Sequence, residues 1–140
     1  MSEKLLTVSG LKTYFFTASG VSKAVDGVSF TLERGEVMGI VGESGSGKSV
    51  FTKCFVGMLD KNGAITHGSI MYDGKDLAKF TTEREWRTIR GKRIAMVTQD
   101  PMTSLNPVMT VEKQIAEVYE LHENIKEAEA LKKSHEILEL

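Results

Sequence analysis

Residues 42–49 read Gly-Glu-Ser-Gly-Ser-Gly-Lys-Ser and match the pattern G-x-x-x-x-G-K-[ST] at every fixed position. They follow an apolar run, Val37-Met38-Gly39-Ile40-Val41, and open a segment, Lys48 to Leu59, that reads as a helix ended near Lys61-Asn62-Gly63. Strand, glycine-rich turn and helix in that order are the context the motif requires. Gly42, Gly45 and Gly47 allow backbone conformations closed to other residues. The N–H groups of the loop, including those of Glu43, Ser44 and Ser46, can then converge into a nest for phosphate oxygens. The start of the helix adds partial positive charge. Lys48 supplies a point charge to the outer phosphates, and the Ser49 hydroxyl can ligate Mg²⁺. A dinucleotide fingerprint is excluded, because Val50 stands where its third glycine would fall.

The rest of the chain places this loop in an α/β frame. Lys4 to Val8 is a short strand, and Val21 to Leu32 alternates partly before the turn Glu33-Arg34-Gly35-Glu36. Val37–Val41 is near-continuously apolar, as a strand buried on both faces should be. Ser69 to Tyr72 runs as a strand into the tight turn Asp73-Gly74. Thr82-Glu83-Arg84-Glu85 is a capping box opening a helix to about Arg90, and Arg93 to Gln99 is the next strand. From Thr110 onward Val111, Ile115, Val118, Leu121, Ile125, Ala128, Leu131 and Leu138 follow helical spacing, still helical at Leu140.

Composition narrows the partners. The 140 residues carry a net charge of −1, with no polybasic surface for nucleic acid. One cysteine, Cys54, rules out an internal disulfide and reads as a core residue in a reducing compartment. No segment approaches the ~20 apolar residues of a membrane span. A membrane role is therefore expected to come through a partner.

A P-loop enzyme also needs an acid on a second strand to hold the metal. Asp100, after Ile94-Ala95-Met96-Val97, is the one late candidate, but two polar residues separate it from the apolar run and Pro101 follows at once. Gln99 is the better candidate. It stands at the carboxyl end of the strand, where α/β folds bind ligands, and its amide oxygen can meet Mg²⁺ or orient water.

These motifs resemble the ATP-binding subunits of ABC transporters over essentially the whole chain. Gly42–Ser49 resembles that family's Walker A, and Thr98-Gln99-Asp100-Pro101 its Q-loop. The stretch 99–107, Q-D-P-M-T-S-L-N-P, and A-V-D-G-V-S-F-T-L-E-R-G-E ahead of the P-loop are similar to the subfamily importing oligopeptides, dipeptides or nickel. The resemblance implies an ABC ATPase N-terminal part: an antiparallel β-region and a P-loop strand–helix core in residues 1–99, then the start of a helical subdomain in 100–140. It implies ATP and Mg²⁺ as cofactors, with Lys48 and the 42–49 backbone on the phosphates and Ser49 and Gln99 at the metal. An aromatic residue stacks on adenine. Alignment favours Phe15, with Tyr14 and Phe16 left open. The implied partners are transmembrane permease subunits met by the region from Pro101 onward, a second ATP-binding subunit in a head-to-tail dimer, and, indirectly, an extracytoplasmic substrate-binding protein. The implied location is the cytoplasmic face of the membrane.

The same resemblance exposes what these residues lack: a signature sequence, a Walker B strand ending Asp-Glu, and a switch histidine, which none of His67, His122 and His135 matches. The chain alone is therefore expected to bind ATP without significant hydrolysis. Two other classes remain to be separated. One is a small P-loop kinase using Arg84, Arg87, Arg90 and Arg93 in a lid; the other is a non-enzymatic module docking a partner through 100–140.

Overall fold

The computed structural model describes residues 3–100 and 104–139. It divides into two compact units, Met1–Ile94 and Ala95–Leu140.

The first unit is built on an antiparallel sheet of order β2-β1-β3-β4, with β1 Lys4–Thr17, β2 Gly20–Glu33, β3 Gly63–Tyr72 and β4 Lys75–Asp76. The expected short strands at Lys4–Val8 and Ser69–Tyr72 lie within β1 and β3. A tight turn at Ala18-Ser19 joins β1 to β2, and the Thr17 hydroxyl donates to the Gly20 carbonyl (2.9 Å). Asp73, at φ +47, and Gly74, at φ +76, form the turn between β3 and β4. One face of the sheet carries the core, in which Leu6, Val8, Leu11, Val25 and Ile70 meet Phe51 and Cys54 of α1 (Lys48–Cys54) and Trp86 of α2 (Glu83–Arg87). Phe51 lies edge-on to both Phe30 of β2 and Phe55, with ring centroids 5.6 and 4.9 Å apart. These contacts fix α1, and so the loop before it, against the sheet.

The capping box forms as expected. The Thr82 side chain accepts from the Glu85 N–H, and the Glu85 carboxylate accepts from the Thr82 N–H (2.9 Å). In the second unit, α3 (Val111–Glu123) and α4 (Glu127–Leu138) pack on one another, with Ala116, Ala130 and Ser134 buried. Small side chains there allow close approach. Asn124, left-handed at φ 54, closes α3. Pro101 and Leu140, which figured in the expectations for the Q-loop and the last helix, lie outside the described residues.

Three expectations are corrected. Val37–Val41 is not a strand: Val37 is 97% and Val41 94% exposed, and among the described residues no strand pairs with it. An apolar run becomes a doubly buried strand only when neighbours on both edges take its N–H and C=O groups. The same reason applies to Arg93–Gln99, which makes one parallel bridge, Arg90 to Ile94, and leaves Val97 98% exposed. The P-loop helix stops at Cys54 rather than Leu59. Gly57 takes φ +60, where a Cβ would fall 2.2 Å from the Trp86 ring. The Arg90 guanidinium binds the Val56 and Gly57 carbonyls at 2.5 and 2.9 Å.

Candidate nucleotide-binding site

Residues 42–49 form a compact turn leading into α1. Gly45 and Gly47 adopt φ +79 and +91, left-handed conformations that side chains resist. Gly47 is fixed further by its surroundings, because a Cβ there would lie 2.2 Å from the Ala24 carbonyl oxygen of β2. That contact docks the loop on the sheet. It joins residues 23 positions apart and leaves no local trace in sequence. Gly42 is close to Ser46, whose hydroxyl a Cβ would meet at 2.8 Å.

The Lys48 ammonium is held inside the loop. It donates to the carbonyls of Gly42 (2.8 Å) and Glu43 (2.7 Å) and to Ser46 Oγ (3.2 Å). Three acceptors on one side set the charge in place at the cradle's wall. The Ser49 side chain is exposed in the first turn of α1. Among the described residues no three His, Cys, Asp or Glu side chains cluster to hold a metal. A magnesium ion carried by phosphates needs only one or two protein oxygens, and a serine hydroxyl beside the loop fits that requirement.

Beside the loop lies a cleft of about 560 Å³ lined by Ala24, Val25 and Asp26 of β2, by Val41 and Gly42, and by Lys48 and Phe51, among others. Its apolar side comes from β2 and from the unpaired run 37–41. Nothing in the residue types of Ala24, Val25 and Asp26 points to a role at the site. Contact across the sheet brings them there.

The three aromatic candidates separate clearly. The Tyr14 hydroxyl donates to Asp26 Oδ1 (2.8 Å), and Lys23 lies over its ring. That bond holds the Tyr14 hydroxyl above its ordinary pKa and Asp26 below the usual carboxylate range, with Lys12 reinforcing the latter. Tyr14 is thus engaged in a surface cluster. Phe16 is exposed. Phe15 is half-buried and packs over Gly63, where any Cβ would fall 2.6 Å from its ring. Strand alternation puts Phe15 on the face that carries Thr13, whose hydroxyl meets Cys54 of α1 at 3.2 Å. Burial pushes the Cys54 thiol up, so Cys54 is an unreactive core group.

Gln99 belongs to the second unit, exposed at a bend. Around it, Thr98 Oγ1 lies 3.1 Å from Ser104 Oγ, which donates to the Asp100 carbonyl (3.0 Å). The arginines considered for a kinase lid are largely engaged within the first unit. Arg90 binds Glu83 (2.8 Å) besides the two carbonyls after α1, Arg93 binds Asp73, and Arg87 lies 4.0 Å from Glu83. Their charges brace the fold.

Comparison with known proteins accords with this geometry. The family model described as ABC transporter matches residues 25–139. The chain is 46% identical over 137 residues to the oligopeptide transport ATP-binding protein AppD of Bacillus subtilis (strain 168), covering 97% of this chain and 42% of that protein. It is 48% identical over 129 residues to the oligopeptide transport ATP-binding protein AmiE of Streptococcus pneumoniae serotype 4, covering 91% and 36%. With the dipeptide transport ATP-binding protein DppD of Lactococcus lactis subsp. cremoris it shares 46% identity over 138 residues, covering 98% and 39%. The chain spans about two-fifths of the length of these curated relatives.

Proposed function

The chain belongs to the ABC transporter family, and from that premise we propose that it is the N-terminal part of an ATP-binding subunit powering uptake of oligopeptides or dipeptides. The observation that carries the reading is the Gly42–Ser49 loop with Lys48 anchored in it, opening on α1 beside an apolar cleft. The names of the relatives at 46–48% identity supply the substrate class; nickel or another small solute is the alternative cargo within the subfamily.

In this reading the loop N–H groups and Lys48 bind the nucleotide's phosphates. Lys48 offsets charge at the outer phosphates; its three N–H donors are taken by Gly42, Glu43 and Ser46, so one of these bonds is exchanged for a phosphate oxygen when the nucleotide arrives. Ser49 supplies a neutral oxygen for Mg²⁺, which when bound screens the phosphate charge; Gln99 has that role by family resemblance. Phe15 stacks on adenine. Residues 1–99 are the ATP-binding core and 100–140 the start of the helical subdomain that meets the permease. The complete subunit is an ATPase. It works at the cytoplasmic face of the membrane in a head-to-tail pair with a second ATP-binding subunit, while a substrate-binding protein delivers the cargo outside. No helix among the described residues is long and apolar enough to cross a membrane. Residues 1–140 alone bind ATP and do not turn it over appreciably, because their sequence carries neither the signature motif nor a Walker B motif ending Asp-Glu.

The test is uptake of labelled di- and oligopeptides by vesicles holding the complete subunit with its permease. ATP-dependent peptide uptake, lost in Lys48→Ala, supports the reading. Uptake of nickel without peptide overturns the cargo assignment. No ATP-dependent uptake of any solute overturns the transport role.

A further inference from the structure

The segment between Gln99 and α3 carries a hydrogen-bond clamp for which nucleotide binding has no use. Gln114, in the first turns of α3, turns its side-chain amide back on the preceding turn. Its Oε1 accepts from the Asn106 N–H (2.8 Å), and its Nε2 donates to the carbonyls of Asn106 (3.0 Å) and Met109 (3.0 Å). The Asn106 backbone offers one donor and one acceptor, and the Gln114 side-chain amide answers both. A glutamate loses the two donated bonds, and an asparagine is one methylene short.

Further bonds lock the same turn. Asn106 Oδ1 accepts from the Val108 N–H (3.1 Å), the Met109 N–H donates to the Asn106 carbonyl (3.2 Å), and Thr110 Oγ1 caps α3 through the Lys113 N–H (3.3 Å). The locked turn holds apolar side chains out to solvent: Val108 is 87% exposed, and Leu105 and Val111 are exposed too. A lone exposed apolar residue is ordinary. One held at the tip of a turn by several polar bonds is pre-organised, and pre-organisation lowers the entropy lost on association.

We propose that Gln114 is a positioning residue that pre-organises the turn 105–110 for the permease, with Val108 as its apolar contact. This rests on the reading that the segment after Gln99 meets the transmembrane partner. The Gln114 amide is engaged with the Asn106 and Met109 backbone, so its loss should appear in partner affinity and not in nucleotide affinity.

The experiment uses the complete subunit and its permease in lipid vesicles. It compares wild type, Gln114→Glu, Gln114→Ala and Val108→Ser. Three quantities are read: Mg-ATP affinity of the subunit alone, amide exchange at Asn106, and the subunit concentration giving half-maximal permease-dependent ATPase. Gln114→Ala, which removes the acceptor, should speed Asn106 exchange at least tenfold, whereas Gln114→Glu keeps an acceptor for that N–H and loses the bonds to the Asn106 and Met109 carbonyls; both variants should keep ATP affinity within about twofold. They should raise the half-maximal concentration about tenfold. Val108→Ser, at a position too exposed to matter for folding, should raise that concentration without changing exchange. Wild-type subunit whose ATPase ignores the permease overturns the transport reading and this proposal with it. A permease-dependent wild type with unchanged half-maximal concentrations in Gln114→Glu or Val108→Ser overturns the proposal alone.

Discussion

Gly45 and Gly47 differ in a way that substitution can read. Both have left-handed backbones, at φ +79 and +91. A Cβ at Gly45 meets nothing within 4 Å, whereas one at Gly47 falls 2.2 Å from the Ala24 carbonyl oxygen. Gly45→Ala therefore carries backbone strain only, about 1–2 kcal/mol. Gly47→Ala carries the same strain plus a contact more than an ångström too short, against a strand carbonyl that cannot rotate away. The loop must lift off β2, which displaces the phosphate cradle as a whole. The expected outcome is a tenfold or smaller loss of ATP affinity in Gly45→Ala. Gly47→Ala should lose at least a further tenfold, about 1.4 kcal/mol. Calorimetric titration of the complete subunit with Mg-ATP reads both, and urea unfolding checks that each variant is folded. Equal losses in the two variants would refute the claim that the Ala24 contact seats the loop.

Other consequences are as direct. Arg90→Ala removes bonds to Val56, Gly57 and Glu83 and should destabilise the protein by about 3 kcal/mol in urea unfolding, with Arg90→Lys recovering less than half. Glu85 is held below its ordinary range by the Thr82 N–H, the Thr82 hydroxyl and the Thr81 N–H. Its contribution is present above the ordinary carboxyl pKa and is lost as pH falls through the lowered folded value. Glu85→Gln should flatten the decline of the urea midpoint between about pH 5 and 3. Phe15→Ala should lower ATP affinity about tenfold while leaving affinity for inorganic triphosphate unchanged, and Tyr14→Phe should alter neither.

Local chemistry made much of the molecule legible in the sequence. The capping box at Thr82 and Glu85 involves residues three apart, and the glycine conformations at 45 and 47 are set within the loop. The helices after Thr110 follow from apolar spacing, although Asn124 divides them. What could not be read depends on partners distant in the chain. Val37–Val41 has a buried strand's composition, but a strand is a property of a pair, and no described strand takes its edges. Gly57 and Arg90 shorten α1 through contacts with residues some thirty positions away. Ala24 seats Gly47 by a backbone atom, which has no residue signature at all. Among the aromatic candidates, Tyr14, Phe15 and Phe16 are equivalent by type, and only the bond to Asp26 and the packing on Gly63 distinguish them.

We propose that residues 1–140 hold a working phosphate cradle without the machinery for hydrolysis. This is tested most directly by incubating this chain with Mg²⁺ and γ-labelled ATP and measuring retained nucleotide and released phosphate together. Nucleotide should be retained by the wild-type chain and lost in Lys48→Ala, with phosphate release at the level of buffer. Retention unaffected by Lys48→Ala, or phosphate released at the rate of a complete subunit, would contradict it.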